Sequence, residues 1–350
     1  MSAHDSDTMP WPETLIIDQA RVVTLLTMRQ CMDVMSETLT ALAAGRTMQP
    51  LRTVMMLPQS RNAFAVMPAL VRNTSNRSSA LGVKVITVFP GNDETRLDSH
   101  QGAVLLFDED DGRLLAIIDA SAITAIRTAA VSGVATRLLA RADAGDLAIL
   151  GSGVQAATHL EAMLEARPIR RIRVWSRTLE RTRAFAERAA RRHGIVIEAC
   201  AAARDAVDGA DIICTTTAAR SPVLLGEWIA AGAHINAVGA SLPSARELAT
   251  AAVAMARLFV DRRESALAEA GDFLIPRAEG AIDDSHILAE LGDVLTGAAR
   301  GRESAREVTL FKSLGLAVED LAAARFLHDR ALAEGGAERI ALGGLRDHRR

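Results

Sequence analysis

The sequence predicts an α/β protein of two parts: a doubly wound parallel sheet domain, and an α+β domain completed by the last helix of the chain. Three observations carry that expectation. From Asp146 onward, short apolar runs alternate with helical patterns, which demands a parallel sheet covered on both faces. Before that point, strand-like runs follow one another without helices between them, an α+β pattern. The final long helix, roughly Leu314 to Ala333, has no strand left to cover in the second part, so it is expected to return to the first. The expected boundaries are 1–127 with 311–350 for the first domain and 128–310 for the second, and 350 residues suffice for two cores.

The polar leader from Met1 to about Pro10 is expected to be disordered. Residues Asp18 to Ala44 show helical periodicity through Val22, Leu25, Leu26, Met32, Met35 and Leu39, and Gly45 offers a stop. An extended piece, Met48 to Pro58, carries Arg52. Strands follow at Asn62 to Met67, ending at Pro68, and at Leu81 to Phe89, which carries Lys84. Ala103 to Asp108 and Leu114 to Asp119 flank the turn-rich Glu109-Asp-Asp-Gly112 as a hairpin. In the second part, strands are expected at Asp146–Leu150, Arg171–Trp175, Ile195–Ala199, Asp211–Thr216, His234–Val238 and Leu258–Asp261. His286 to Gly297 is expected to be helical, and the tail Gly343 to Arg350 frayed.

Composition narrows the class of function. The net charge of −3, with no strongly basic segment before the extreme C-terminus, argues against nucleic acid as a partner. No tyrosine is present, and aromatic platforms for bases are sparse. Cys31, Cys200 and Cys214 lack metal-ligand spacing and read as small buried hydrophobes in a reducing compartment. The N-terminus is unlike a secretory signal, and no apolar run is expected to span a membrane, so a cytoplasmic location is expected.

The most informative stretch is Asp146-Leu-Ala-Ile-Leu150 followed by Gly151-Ser-Gly-Val-Gln-Ala156. In a Rossmann fingerprint Gly151 makes the tight turn, Gly153 lets backbone N–H groups approach a pyrophosphate, and Ala156 allows close helix–strand packing. Ser152, Val154 and Gln155 complete the cofactor turn, where a helix N-terminus stabilises phosphate charge. An NAD-type unit carries a carboxylate at the end of its second strand. Here Trp175-Ser176-Arg177-Thr178 stands there instead, a set suited to an acceptor-only 2′-phosphate. NADPH is therefore expected over NADH, against the alternative that Arg177 is solvated and Thr178 only a helix cap.

Arg52, Lys84 and Arg127 are three basic residues in apolar or interdomain settings. Each alone reads equally well as a solvent-facing cation; two or three converging on a cleft make a carboxylate clamp. His100 is plausible near a cleft, His159 reads as cofactor-flanking or surface, and His234 as a structural hydrogen-bonding group. No Ser-His-Asp spacing, HExxH or cysteine cluster supports a hydrolase or metal site.

Colinear segments from about Asp18 to Ala333 resemble the ornithine cyclodeaminase/mu-crystallin family. They are Met48-Gln-Pro-Leu-Arg-Thr-Val54, Val66-Met-Pro-Ala69, Ser99-His-Gln101, Arg127-Thr-Ala-Ala-Val-Ser132, the Gly151 turn, His234-Ile-Asn-Ala-Val-Gly-Ala-Ser241, Arg246-Glu-Leu248 and Phe311-Lys-Ser-Leu-Gly315. The resemblance implies a homodimer whose first domain binds substrate and forms the subunit interface. It implies substrate-carboxylate roles for Arg52, Lys84 and Arg127, and cofactor contacts for Thr128, the Gly151 turn, Ser176-Arg177-Thr178, Val238 and Ser241. Cyclodeaminases of the family carry Gly-Gly-Asp-Cys-Pro-Gly-Lys where this chain has Gly239-Ala-Ser-Leu-Pro-Ser-Ala245. Ser241 cannot supply the negative charge an ornithine ammonium needs. The resemblance thus implies NAD(P)H-dependent reduction of a small cyclic α-imino acid, Δ1-pyrroline-2-carboxylate or its six-membered homologue, to an L-amino acid such as L-proline. Ornithine cyclodeamination and alanine-type dehydrogenation are the rivals on the same scaffold.

Overall fold

The computed structural model describes residues 13–72 and 78–344. The leader up to Pro10 and most of the tail from Gly343 lie outside the described residues. The chain opens with β1 (Glu13–Ile17), α1 (Gln19–Leu25) and α2 (Met28–Ala43). The long helical pattern is therefore two helices. Thr27 starts the second with a capping box, its hydroxyl accepting from Gln30 N while the Gln30 side chain accepts from Thr27 N.

The short β2 (Thr47–Met48) and β3 (Thr53–Met56) lead into β4 (Ala63–Val71), β5 (Ala80–Val88), β6 (His100–Phe107) and β7 (Leu114–Asp119). β4 runs through Pro68 rather than ending there, and the proline side chain stands on the exposed face. Pairing is antiparallel from β4 through β7, and β1 adds in parallel to β7. The register places Lys84 between Met67 and Val104. Alternation then sends Lys84 to the buried face and Val83 and Val85 to the other.

α3 (Ala120–Leu139) starts at Asp119, whose side chain accepts from Ala122 N at 2.8 Å, and crosses to the second sheet. Contrary to the expectation of no such run, α3 is long and apolar enough to cross a membrane. It is instead a core helix, buried along most of its length against its neighbours α2 and the following helix.

The second sheet contains β8 (Asp146–Leu150), β9 (Arg171–Trp175), β10 (Glu198–Ala199), β11 (Ile212–Thr215), β12 (His234–Ala237), β13 (Arg257–Val260), β14 (Ile287–Glu290) and β15 (Thr309–Lys312). Between them lie α4 (Val154–Ala166), α5 (Leu179–His193), α6 (Ala203–Val207), α7 (Thr250–Ala254), α8 (Arg263–Glu269), α9 (Gly271–Ala278) and α10 (Leu291–Thr296). The order is β10-β9-β8-β11-β12-β15-β13-β14, all parallel, the doubly wound arrangement with a crevice at the carboxyl ends of the strands. Part of the region expected to be helical from His286 is strand β14, which pairs at the edge of the sheet beside β13. β15, which local periodicity did not mark, fills the gap between β12 and β13.

Phe311 and Lys312 belong to β15, so the change of sheet comes after Lys312. The connector then delivers α11 (Ala317–Glu334), which packs over β4, β5 and β6 and against α2 and α3. β16 (Glu338–Ala341) closes the first sheet antiparallel to β1.

Candidate active site

The fingerprint turn has the geometry a dinucleotide needs. Gly151 has φ +135°, and a side chain there would strike Thr216. Gly153, the N-cap of α4, has open space where a Cβ would stand, so a phosphate can approach the backbone closely. The unpaired N–H groups of the first turn of α4 face that space, and Val154 is exposed beside it while Ala156 is buried against the sheet. At the end of β9, Ser176 is half-buried, its hydroxyl on Thr182 Oγ1 at 2.8 Å and the Thr178 carbonyl at 3.2 Å. Arg177 and Thr178 are exposed, and the Thr178 hydroxyl makes no cap bond to α5. These donors, without a carboxylate among them, fit an NAD(P) cofactor with a 2′-phosphate.

Of the three cations, Lys84 and Arg127 meet on one carboxylate, and Arg52 is near enough to act on the charge of Lys84. Asp320, in the first turn of α11, is fully buried and takes one cation on each oxygen: Lys84 Nζ on Oδ2 at 2.7 Å and Arg127 Nε on Oδ1 at 2.8 Å. Arg127 Nη1 also donates to Glu319 Oε2 at 2.8 Å, so two of its donors are committed to protein carboxylates and a side-on paired grip on a ligand through Nε is closed. Arg52 is half-buried, with Nη2 on the Leu314 carbonyl at 2.9 Å and on Glu269 Oε2 at 2.6 Å. The connector to α11 is fixed from the second sheet, because Asp261 Oδ2 accepts from Leu314 N and Gly315 N at 2.6 and 2.7 Å. Gly315 has φ +77°, and a Cβ there would run into the Arg127 guanidinium.

Burial lowers the Lys84 pKa from 10.5 to about 8, opposed chiefly by the charge of Asp320. Burial pushes Glu319 up to about 7 against the pull of Arg127. Burial also opposes ionisation of Asp320, but Arg127 and Lys84 outweigh it and hold that carboxyl below its ordinary value. His100, at the start of β6, is lowered by burial, with Lys84 and Arg127 among the charges acting on it.

The turn and the cation cluster meet at Thr124 of α3. Its carbonyl accepts from Gln155 Nε2 and its hydroxyl from Lys84 Nζ, both at 3.4 Å. Thr128 is buried one turn further along α3, among residues that also face α4. Val238 and Ser241 stand just beyond β12, at the carboxyl end of the sheet.

His159 is not on the surface: it is fully buried, with Nδ1 on the Gln155 carbonyl at 2.7 Å and Nε2 on Ser132 Oγ at 2.9 Å. Burial lowers its pKa to about 4. His234 is structural as expected, between Thr309 Oγ1 and Asn236 Oδ1, and is lowered to about 3 by burial.

Two groups had no role assigned from the sequence. Glu247 is fully buried and accepts from Thr217 N, Thr217 Oγ1, Thr215 Oγ1 and Gly239 N, bracing the loops that follow β11 and β12. The Glu319–Asp320 pair looks, by position alone, like ordinary acidic residues at a helix N-terminus. A compositional signal does point to the site: among 40 basic residues the chain has only two lysines, Lys84 and Lys312, and both are buried. Elsewhere arginine, which does not deprotonate in proteins, supplies the positive charge.

The chain is similar to known proteins along nearly its whole length. The sequence profile of the ornithine cyclodeaminase/mu-crystallin family matches residues 12–335. Ketimine reductase mu-crystallin of Mus musculus is 45% identical over 285 residues, 81% of this chain and 86% of its own. The Δ1-pyrroline-2-carboxylate reductase of Thermococcus litoralis, solved with NADH and L-proline, superposes with a TM-score of 0.90 at 38% identity, covering 93% of this chain and 100% of that one. An archaeal alanine dehydrogenase dimer with bound NAD superposes with a TM-score of 0.87 at 30% identity, covering 94% and 99%. The chain belongs to the ornithine cyclodeaminase/mu-crystallin family.

Proposed function

We propose that the protein is an NAD(P)H-dependent reductase of cyclic α-imino acids, converting Δ1-pyrroline-2-carboxylate or Δ1-piperideine-2-carboxylate to the saturated L-amino acid. The observation that carries this reading is the meeting, at Thr124, of a dinucleotide turn and a buried lysine–arginine cluster. When bound, the reduced nicotinamide supplies the hydride for the C=N carbon. Arg52, whose Nε and Nη1 have no acceptor among the described residues, and the remaining Nη2 of Arg127 hold the substrate carboxylate. Lys84 supplies the proton for the imine nitrogen, and positioning accounts for much of the rate. Ser241, in the loop after β12, offers no carboxylate to an ornithine ammonium, which favours reduction over cyclodeamination.

Arg177 and Thr178 select NADPH over NADH in this reading. The protein acts as a homodimer through the outer face of the first sheet, where Phe64, Val66, Leu81, Val83, Val85 and Leu105 form an apolar surface on which no helix among the described residues lies. That surface is continuous across three strands, which fits a second copy. The deciding experiment follows NADPH and NADH oxidation with cyclic imines, linear imines, and pyruvate plus ammonia, alongside ammonia release from ornithine. Turnover with cyclic imines is expected; oxidation with pyruvate plus ammonia alone, or ammonia release, overturns the proposal.

A further inference from the structure

We propose that Asp320 is a positioning residue of this reaction, holding Lys84 and Arg127 one on each carboxylate oxygen so that Lys84 delivers the proton that completes imine reduction. This rests on the reductase reading above. Two cations that share one carboxylate repel each other in a dry site, and only a fixed anion between them keeps both charged and in place. Asp320 meets that need: it is fully buried, and its contacts to Lys84 Nζ and Arg127 Nε are 2.7 and 2.8 Å. α11 carries it across β4, β5 and β6, so the carboxylate sits on a rigid element. Thr124 Oγ1, at 3.4 Å, gives Nζ a second direction toward α3.

The other titratable and charged groups around the cluster come from every element packed on it. Glu319 on α11 is turned to Arg127 and Leu316 N; Asp261 beyond β13 holds the connector; Arg52 faces Glu269 of α8; His100 lies on β6 and Cys31 on α2. Among them, Asp320 is the carboxylate that touches Lys84. Lys84 is also one of only two lysines in a chain that uses arginine at every other basic position, and arginine cannot give up a proton.

The step balances as follows. The hydride adds to the ring carbon, the C=N π electrons move to nitrogen, and nitrogen takes a proton from Nζ as that N–H bond breaks. Lys84 is left as a neutral amine, which water reprotonates beside Asp320.

Single-turnover reduction of Δ1-piperideine-2-carboxylate by NADPH, across the neutral-to-alkaline range, tests this together with NMR of the lysine Nζ groups in the NADPH complex. The wild-type rate is expected to fall as pH rises through about 8, with Lys84 Nζ titrating in step. In Asp320→Asn both should move down by about one pH unit or more, and the plateau rate should drop about tenfold or more, with NADPH binding retained. Asp320→Glu keeps the charge but displaces it, so it should restore the titration and not the rate; it also carries the test if Asp320→Asn fails to fold. Asp320→Asn or Asp320→Glu with wild-type rate and unmoved titration overturns the proposal. If the wild type reduces no imine, the reductase reading fails instead. The Nζ titration then judges Asp320 alone: a shift supports its hold on Lys84, and no shift overturns it.

Discussion

The glycine turn and the cation cluster both touch Thr124, yet they handle charge by opposite means. Around Gly151 and Gly153 the binding groups are backbone N–H dipoles at the start of α4, fixed by the fold and indifferent to pH. Around Asp320 the groups are full charges withdrawn from water, Lys84 and Arg127 against Glu319 and Asp320. The turn tolerates changes in its neighbours as long as its glycines keep their backbone geometry. The cluster is strong only while complete, since removing one partner of a buried pair leaves an uncompensated charge costing about 3–5 kcal/mol. One region therefore offers a passive cradle, and the other a chemically active, easily disturbed centre.

Four changes break or sharpen that contrast, in descending order of expected effect. Lys84→Ala removes the proton donor, so kcat should fall about 10²–10⁴-fold, while NADPH affinity, measured by fluorescence titration, stays at the wild-type value. Gly315→Ala forces an L-residue to φ +77° against Arg127. Its strain of about 1–3 kcal/mol should lower kcat/KM about tenfold to a hundredfold, again without loss of cofactor binding. Arg177→Asp strikes the cradle instead. Losing charge-assisted bonds of about 1.5–3 kcal/mol should cut the NADPH-over-NADH preference at least about tenfold, and an unchanged ratio would sink the assignment of Arg177.

The smallest effect concerns His159 and His234, held neutral in the fold at pKa values of about 4 and about 3. Both lie below the ordinary 6.5, so the unfolded chain gains protons first as pH falls. Stability is then fully present above that value and is lost downward through the folded pKa values. At about pH 5 each histidine should contribute a loss of about 2 kcal/mol. Urea unfolding of His159→Gln should show a shallower acid decline than the wild type.

The parts that were legible in the sequence are those that local chemistry writes. Gly151, Gly153 and Ala156 sit at fixed offsets because a turn, a phosphate and a packing contact each require a small residue there. The absence of a carboxylate after β9 is equally local, as is the alternation that made Leu81 to Phe89 a strand. That alternation could not say which face of β5 was covered, so Lys84 remained ambiguous between solvent and core. The answer came from α11, more than two hundred residues further along the chain. β15 was obscure for a related reason: a short, fully buried strand of four residues has no polar face to betray its period, and β14, equally short, spans too few residues to show one. Glu247 lies within a segment that carried the resemblance, but its burial, like that of the Glu319–Asp320 pair, was invisible because nothing local distinguishes a buried carboxylate from a solvated one.

The return of the chain to its first sheet has a consequence for synthesis. β1 waits for β16, and Lys84 and Arg127 wait for the carboxylates of α11, until nearly the whole polypeptide has left the ribosome. The second sheet waits almost as long, because β15, which fills its middle, ends only a few residues before α11 begins. During that interval two buried cations have no counter-charge and an apolar sheet face has no lid. α11 thus acts as the latch of the first sheet, and a chain cut short of Asp320 would lack the carboxylate that joins Lys84 to Arg127.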